Sequence, residues 1–349
     1  MDPGVCRRRR LALCLGERGE VRHNGLAMHF DTPFLKLPIR FDAETLKAET
    51  RNLPATAWVP HPTGFKGNEA VRLVSVNGGP NDAFDGAMRP TENLARMPYV
   101  RQIMAELGGV WTRSRLMGLG AGAEVPTHLD AHYHWRTHVR IHVPILTDPK
   151  VLFTCGGETV HMAAGECWLF DSFRWHRVEN GWTERRVHLV LDTVLTPALQ
   201  LLVDAAKGAA GEPRHVAPDP DTPVELRFEQ FNAPAVMTHW EMRCHLDFIF
   251  GHASDHPTVP AIRERLERFT DAWAALWAEF GSSTAGLPAY RRLLGECRLD
   301  VMRACDDSVR LTNDYLLRDV IDSLVFAPAL GPVQPSGNVT LAARTQLFA

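Results

Sequence analysis

Residues 126–146, PTHLDAHYHWRTHVRIHVPIL, and residues 175–192, WHRVENGWTERRVHLVLD, hold most of what this chain discloses about its fold. Between Thr137 and Ile145, Val139, Ile141, Val143 and Ile145 alternate with Arg140, His142 and Pro144. A period of two is the signature of a strand. The second stretch repeats the device: Val187, Leu189 and Leu191 alternate with Arg186, His188, Val190 and Asp192. Each strand therefore has one apolar face, and an opposite face on which arginine and histidine recur as an Arg-x-His pair. Such a face must line something wet or ligand-filled, because buried charges left without partners are costly.

Just before the first strand stand His128 and Asp130, and just before the second stands His176, ten residues ahead of Arg186. On a strand, residues two apart point to the same side. On a helix they would diverge by about 200°. Extended backbone would thus let His128 and Asp130 aim at one metal while Leu129 faces away. Two histidines and one carboxylate with open positions opposite are the ligand set of a mononuclear non-haem Fe(II) centre. HLDAH superficially mimics a helical zinc pair, but Leu129 stands where that motif needs glutamate. A 2-oxoacid cosubstrate accounts for the arginines. If 2-oxoglutarate chelates iron through its 1-carboxylate and keto oxygen, its 5-carboxylate needs a bidentate, permanently charged partner. Arg186 is the candidate for that role, and Arg140 or His142 for the metal-bound end. His188 and Asp192 read either as partners behind these groups or as satisfied interior polar residues.

The ordered motifs carry a resemblance. His128-x-Asp130, Arg140-x-His142-x-Pro144, His176-x-Val178-x-Asn180 and Arg186-x-His188-Leu189-x-x-Asp192 resemble the aspartyl/asparaginyl β-hydroxylase family of Fe(II)/2-oxoglutarate oxygenases, which is itself similar to bacterial proline hydroxylases. The upstream phrases RPTENLARMPYV and RSRLMGLGAGAEV extend it to roughly Phe30–Leu195. It implies an α+β fold with a double-stranded β-helix (jelly-roll, cupin-like) core, flanking helices and a C-terminal helical region. It further implies Fe(II) held by His128, Asp130 and His176, with Arg186, Arg140, His142 and His188 around 2-oxoglutarate. O2 would be the oxidant and ascorbate a support for turnover. The implied reaction is hydroxylation of a C–H bond. The family's animal peptide hydroxylases lack the carboxylate ligand, so Asp130 points to a free amino acid or a small amino-acid derivative. Two alternatives stay open: a peptide or protein hydroxylase of aspartyl/asparaginyl type, and a cupin-like metal-binding protein that does not use 2-oxoglutarate.

Composition bounds the rest. The chain has 349 residues, 45% of them hydrophobic and 23% charged, with a net charge of -3. That is a globular composition without the basic footprint of a nucleic-acid binder. No run approaches the roughly 20 apolar residues of a membrane helix. Seven cysteines, an odd number without C-x-x-C spacing, predict reduced thiols and a cytoplasmic setting.

Four regions are expected. Residues 1–27, with four arginines and the short run LALCLG, read as a disordered tail, or as an extension upstream of a start at Met28. Residues 28–207 form the oxygenase domain: an Asp42-capped helix, a strand over 70–76, a Gly/Asn/Asp loop over 77–86 that is either a lid or a plain connection, a helix over 90–107, and then the short strands and turns of a jelly roll. Tyr133, His134, Trp135 and Arg136 read as ordinary loop and surface groups, with a role at the pocket rim as the alternative. Residues 208–223, rich in Gly, Pro and Asp, read as a linker. Residues 224–349 form a helical region in which Ile262, Leu266, Phe269, Trp273, Leu276 and Phe280 make one apolar stripe. Its histidines read as core or surface groups, and it is expected either to cover the barrel mouth or to form a homodimer contact.

Overall fold

A computed structural model of the protein describes residues 31–331 apart from 63, 209, 210 and 233. The reading of the N-terminal tail and of a start at Met28 lies outside them. Strand β1 (Phe34–Phe41) and helix α1 (Ala43–Arg51) open the fold, and the Asp42 side chain caps α1 by accepting from the Thr45 N–H at 2.8 Å. β2 (Val59–Pro60), β3 (Asn68–Val76) and β4 (Met88–Pro90) lead to α2 (Glu92–Ala95) and α3 (Pro98–Leu107). The single helix expected over 90–107 is thus two. Pro98, at the first turn of α3, offers no N–H and disfavours helix in the residue before it.

The short β5 (Val110–Trp111) precedes eight strands that build the core: β6 (Ser114–Leu119), β7 (Glu124–His128), β8 (His138–Leu146), β9 (Val151–Cys155), β10 (Glu158–Val160), β11 (Glu166–Phe170), β12 (His176–Asn180) and β13 (Arg186–Val194), with a single-turn helix, α4 (His134–Thr137), between β7 and β8. A large sheet takes β6, β8, β11 and β13, and a small sheet takes β7, β9, β10 and β12, so the chain passes to and fro between two layers. In the large sheet the order is β14 (Arg214–Val216), then β1-β11-β8-β13-β6-β3-β2, and in the small one β10-β9-β12-β7. The core pairings are antiparallel, as jelly-roll-like layers require. Gly165, at φ +77°, makes the turn into β11; a Cβ there would meet the Phe41 carbonyl oxygen at 2.2 Å, so only glycine fits.

Leu119, Phe153, Cys155, Phe170 and Val178 fill the space between the sheets. The outer face of the large sheet packs on α1, α3 and α5 (Pro197–Lys207) through Leu46, Ile103, Leu107, Leu199 and Val203. Residues 208–223, read from composition as a linker, include β14 (Arg214–Val216), which pairs in parallel with β1 and buries Val216. Three residues can join an edge by backbone hydrogen bonds alone, which composition does not register. β15 (Arg227–Phe228) then pairs with β5.

Beyond it, α6 (His239–Gly251), α7 (Val259–Phe280), α8 (Leu287–Ala304) and α9 (Leu317–Ile321), followed by a π-helical turn over Asp322–Phe326, share a second core. Ile262, Leu266, Phe269 and Trp273 of the expected stripe are buried in it, while Leu276 and Phe280 are half-buried against it. Among the described residues no helix is long and apolar enough to cross a membrane. Cys155, Cys167, Cys244, Cys297 and Cys305 are all free thiols.

Candidate active site

Pairing of β7 with β12 sets His128 directly opposite His176, and their ring centroids lie 4.1 Å apart. Each imidazole is oriented in the same way. His128 Nδ1 is 2.8 Å from the Pro126 carbonyl and His176 Nδ1 is 2.8 Å from the Arg174 carbonyl. A carbonyl only accepts, so each Nδ1 carries the hydrogen and each Nε2 keeps its lone pair for a metal. Burial pushes His176 down to about 4, which keeps it neutral, as a ligand must be.

Asp130 lies two residues past the end of β7, where its N–H donates to the Ser172 carbonyl at 3.0 Å. The same-side placement expected from strand geometry is therefore achieved by a tethered loop. One ligand atom from each of His128, Asp130 and His176 lies within 4.8 Å of the others, and buried Asp130 Oδ2 has no hydrogen-bond partner. Among the described residues this is the single such cluster of metal-ligating groups. Two lone pairs and one unpartnered carboxylate oxygen fit a divalent cation.

Behind this cluster the two Arg-x-His strands diverge in character. Arg186 is 4% exposed, and its Nε and one terminal nitrogen have no partner. Burial without a counter-charge pushes it down to about 9. His142 and His188 stand beside it with Nδ1 atoms 3.4 Å apart and both Nε2 atoms unpartnered; burial, then the Arg186 charge, pushes both well below the usual imidazole range. This end of the core is a buried cation flanked by open imidazoles, a fit for an anion that the protein itself does not supply.

Arg140 is instead already paired. It makes a bidentate contact with Asp192 at 2.9 and 3.1 Å and packs 4.1 Å from the Trp135 ring, while its remaining nitrogen is 3.9 Å from Asp130 Oδ2. Asp192 is fully buried, so it neutralises Arg140 across the β8–β13 register.

Several functional neighbours escape a linear reading. Arg113, just before β6, and Arg115, within it, stand in an Arg-x-Arg spacing that repeats the alternation of the other two strands, and both are buried. They meet the 77–86 loop: an Arg113 terminal nitrogen donates to the Asp82 carbonyl at 3.1 Å, and the Phe84 ring lies 3.7 Å from its guanidinium. Phe84 also stacks on His132 at 4.6 Å, so the loop packs into the site region. Glu229, just past β15, contacts His138 Nε2 at 3.0 Å. Tyr133, His134, Trp135 and Arg136, read as surface groups, form α4 and its entry, with His134 and Arg136 buried. A cavity is lined by Asp130, Arg136, Arg140 and Phe170 together with Phe248, His252 and Leu324 of the helical region.

Residues 74–195 match the model of the aspartyl/asparaginyl β-hydroxylase family, and the segment contains every candidate described so far in the core. That segment, about a third of the chain, is similar to this family. A comparison with curated proteins finds no match. Solved structures similar in outline include a 2OG-Fe(II) oxygenase family oxidoreductase from Burkholderia pseudomallei, 13% identical over 53% of this chain and 90% of that one with a TM-score of 0.36. A Pseudomonas putida prolyl-4-hydroxylase is 15% identical over 48% and 94% of the two chains, TM-score 0.32. HygX from Streptomyces hygroscopicus, solved with nickel and 2-oxoglutarate bound, is 14% identical over 48% and 84%, TM-score 0.33. Likeness at this level says nothing about what this chain binds.

Proposed function

We propose that the protein is an Fe(II)- and 2-oxoglutarate-dependent dioxygenase that hydroxylates a C–H bond of a free amino acid or small amino-acid derivative, on a double-stranded β-helix core. What supports the core assignment is the alternation of β6–β13 between two antiparallel layers. The observation that carries the function is Arg186, a buried guanidinium with unpartnered nitrogens in the same core as the His128/Asp130/His176 cluster. An enzyme whose cosubstrate is a dicarboxylate has a use for such a residue; a metal-binding barrel without that cosubstrate would hold an uncompensated charge for nothing.

In this reading His128, Asp130 and His176 hold iron, and iron with 2-oxoglutarate supplies the oxidising power when both are bound. Arg186 takes the distal carboxylate, and His142 and His188 offer their Nε2 atoms to the same cosubstrate. Arg140 steadies the ligand carboxylate of Asp130 from 3.9 Å while Asp192 fixes its orientation. Phe170 and Phe153 pack against His142 and His176 and keep water from the ligand side. A small substrate is favoured because Phe248, His252 and Leu324 of the helical region line the cavity beside the ligand cluster. Cytoplasmic location and a C-terminal dimer contact are parts of the proposal supported by cysteine usage and by the helical composition alone.

The deciding experiment is succinate formation by the purified protein with Fe(II), ascorbate, O2 and 2-oxoglutarate, with and without pooled free amino acids, and with His176→Ala as the blank. Stimulation by a pool above the blank is expected. Turnover that no pool stimulates would turn attention to peptide substrates, and absence of 2-oxoglutarate binding would leave a cupin-like metal binder.

A further inference from the structure

The cavity beside the ligand cluster is lined by Asp130 and Arg140 and also by Arg136, Asp171 and Phe248. The charges along it do not balance. Arg140 is matched by Asp192 at 2.9 Å. Asp171 is spent locally: one oxygen accepts from Arg174 Nε at 2.9 Å and the other from the Phe173 N–H at 3.1 Å. Asp130 keeps its oxygen for the metal. Arg136 is left over. It is 7% exposed, its Nε has no partner, and it makes no ion pair among the described residues. Arg113, the other buried arginine outside the Arg186 pocket with an unpartnered Nε, is not among the cavity's lining residues.

Arg136 is nevertheless held firmly. Its guanidinium lies 3.5 Å from the Phe248 ring, and that ring is packed by Phe173 at 4.8 Å and His252 at 4.4 Å. The helical region also grips both ligand loops. Ser323 Oγ donates to the Ala131 carbonyl at 2.7 Å, Asn313 Nδ2 donates to the Phe173 carbonyl at 3.1 Å, and Tyr133 hydrogen-bonds Glu241. A cation on a rigid single-turn helix, stacked on a ring from a second core and bordering the cavity, is preorganised for a planar two-oxygen anion.

We propose that Arg136 is the substrate-anchoring residue of this site: clamped on Phe248, it takes the carboxylate of a small acid and leaves the rest of that molecule extended towards Asp130. The inference rests on the oxygenase reading for what happens to the bound acid, but the anion site itself can be tested without turnover. It makes the helical region part of substrate recognition, since removing α6 would remove the surface that positions the guanidinium.

The test compares a mixture of free amino acids with the matching mixture of their primary amides, which keep the side chains and lose the carboxylate charge. Two readouts are taken on the full-length protein: stimulation of succinate release, and the rise in melting temperature on adding either mixture without 2-oxoglutarate. The free acids are expected to act and the amides to fail. Arg136→Gln should raise the half-saturating concentration of the acids by about tenfold or more, the usual cost of one charged hydrogen-bonded contact. Arg136→Lys should recover part of it. Arg243→Gln, an exposed position on α6 paired with Asp271 at 2.6 Å, is the unchanged control. Equal action of acids and amides on the wild type, or no action of either, overturns the proposal, and neither outcome depends on a variant folding. So does an Arg136→Gln protein that melts normally and keeps the wild-type half-saturation. If no succinate appears at all, the oxygenase reading fails, and the melting readout alone decides the anion site.

Discussion

Strand β13 and helix α7 are both buried elements, yet they are buried for opposite reasons. Along β13, Arg186, His188 and Asp192 are as inaccessible as Val187, Leu189 and Leu191. Along α7 the buried residues are Ile262, Leu266, Phe269, Thr270 and Trp273, and the one polar member, Thr270, returns its hydroxyl to the Leu266 carbonyl at 2.9 Å. The unpartnered buried atoms follow the same divide. In the sheet core Asp130, His142, His188 and the Arg186 guanidinium carry them, whereas in the helical region they fall on the imidazoles of His239 and His245, and Asp322 is paired with Arg298 at 2.8 Å. Burying a polar group without a partner costs free energy. A core that retains a buried cation without a counter-charge is arranged for something other than stability.

That contrast can be broken by mutation. The largest effect is expected at the ligand cluster: His176→Ala should lower turnover by at least about a thousandfold and release iron while the fold persists. Normal iron content with activity retained would remove the metal assignment. Next is Trp273→Ala, which empties a fully buried site in the helical core, packed 4.5 Å from Tyr290. It should cost about 3–5 kcal/mol in denaturant unfolding, and a loss under about 1 kcal/mol would mean that the helical core contributes little to stability.

The two arginines divide the same way. Arg140→Leu leaves Asp192 buried without its cation, so unfolding should become easier by about 3–5 kcal/mol. Arg186→Met removes a cation that has no protein partner. It should raise the 2-oxoglutarate requirement by about a hundredfold, yet stabilise the cosubstrate-free protein by about 1 kcal/mol or more. A destabilised Arg186→Met protein with an unchanged 2-oxoglutarate requirement would reverse the comparison and move the anchor to Arg140. These two are read by urea midpoint and by 2-oxoglutarate titration.

Much of this was legible in the linear chain, for a physical reason. Strand alternation is a local geometric rule, so residues two apart on β8 and β13 share a face wherever the strands end up, and the polar face announces itself. Histidine, carboxylate and arginine in order, at spacings a sheet can bring together, then define a chemistry that composition alone would not. The α7 stripe and the Asp42 cap were readable on the same footing, being matters of one helical turn.

What needed the folded molecule was every partnership between distant segments. Arg140 and Arg186 look equivalent in sequence, each two residues before a histidine, and only the β8–β13 register decides that one meets Asp192 while the other meets nothing. Asp130 reaches the histidines through a hydrogen bond to Ser172, not through its place on a strand. Arg136 looks like a surface residue until α6 brings Phe248 against it. Residue type and local period travel with the chain; which buried charge is left without a partner is a property of packing, and it is settled only when all the segments are in place.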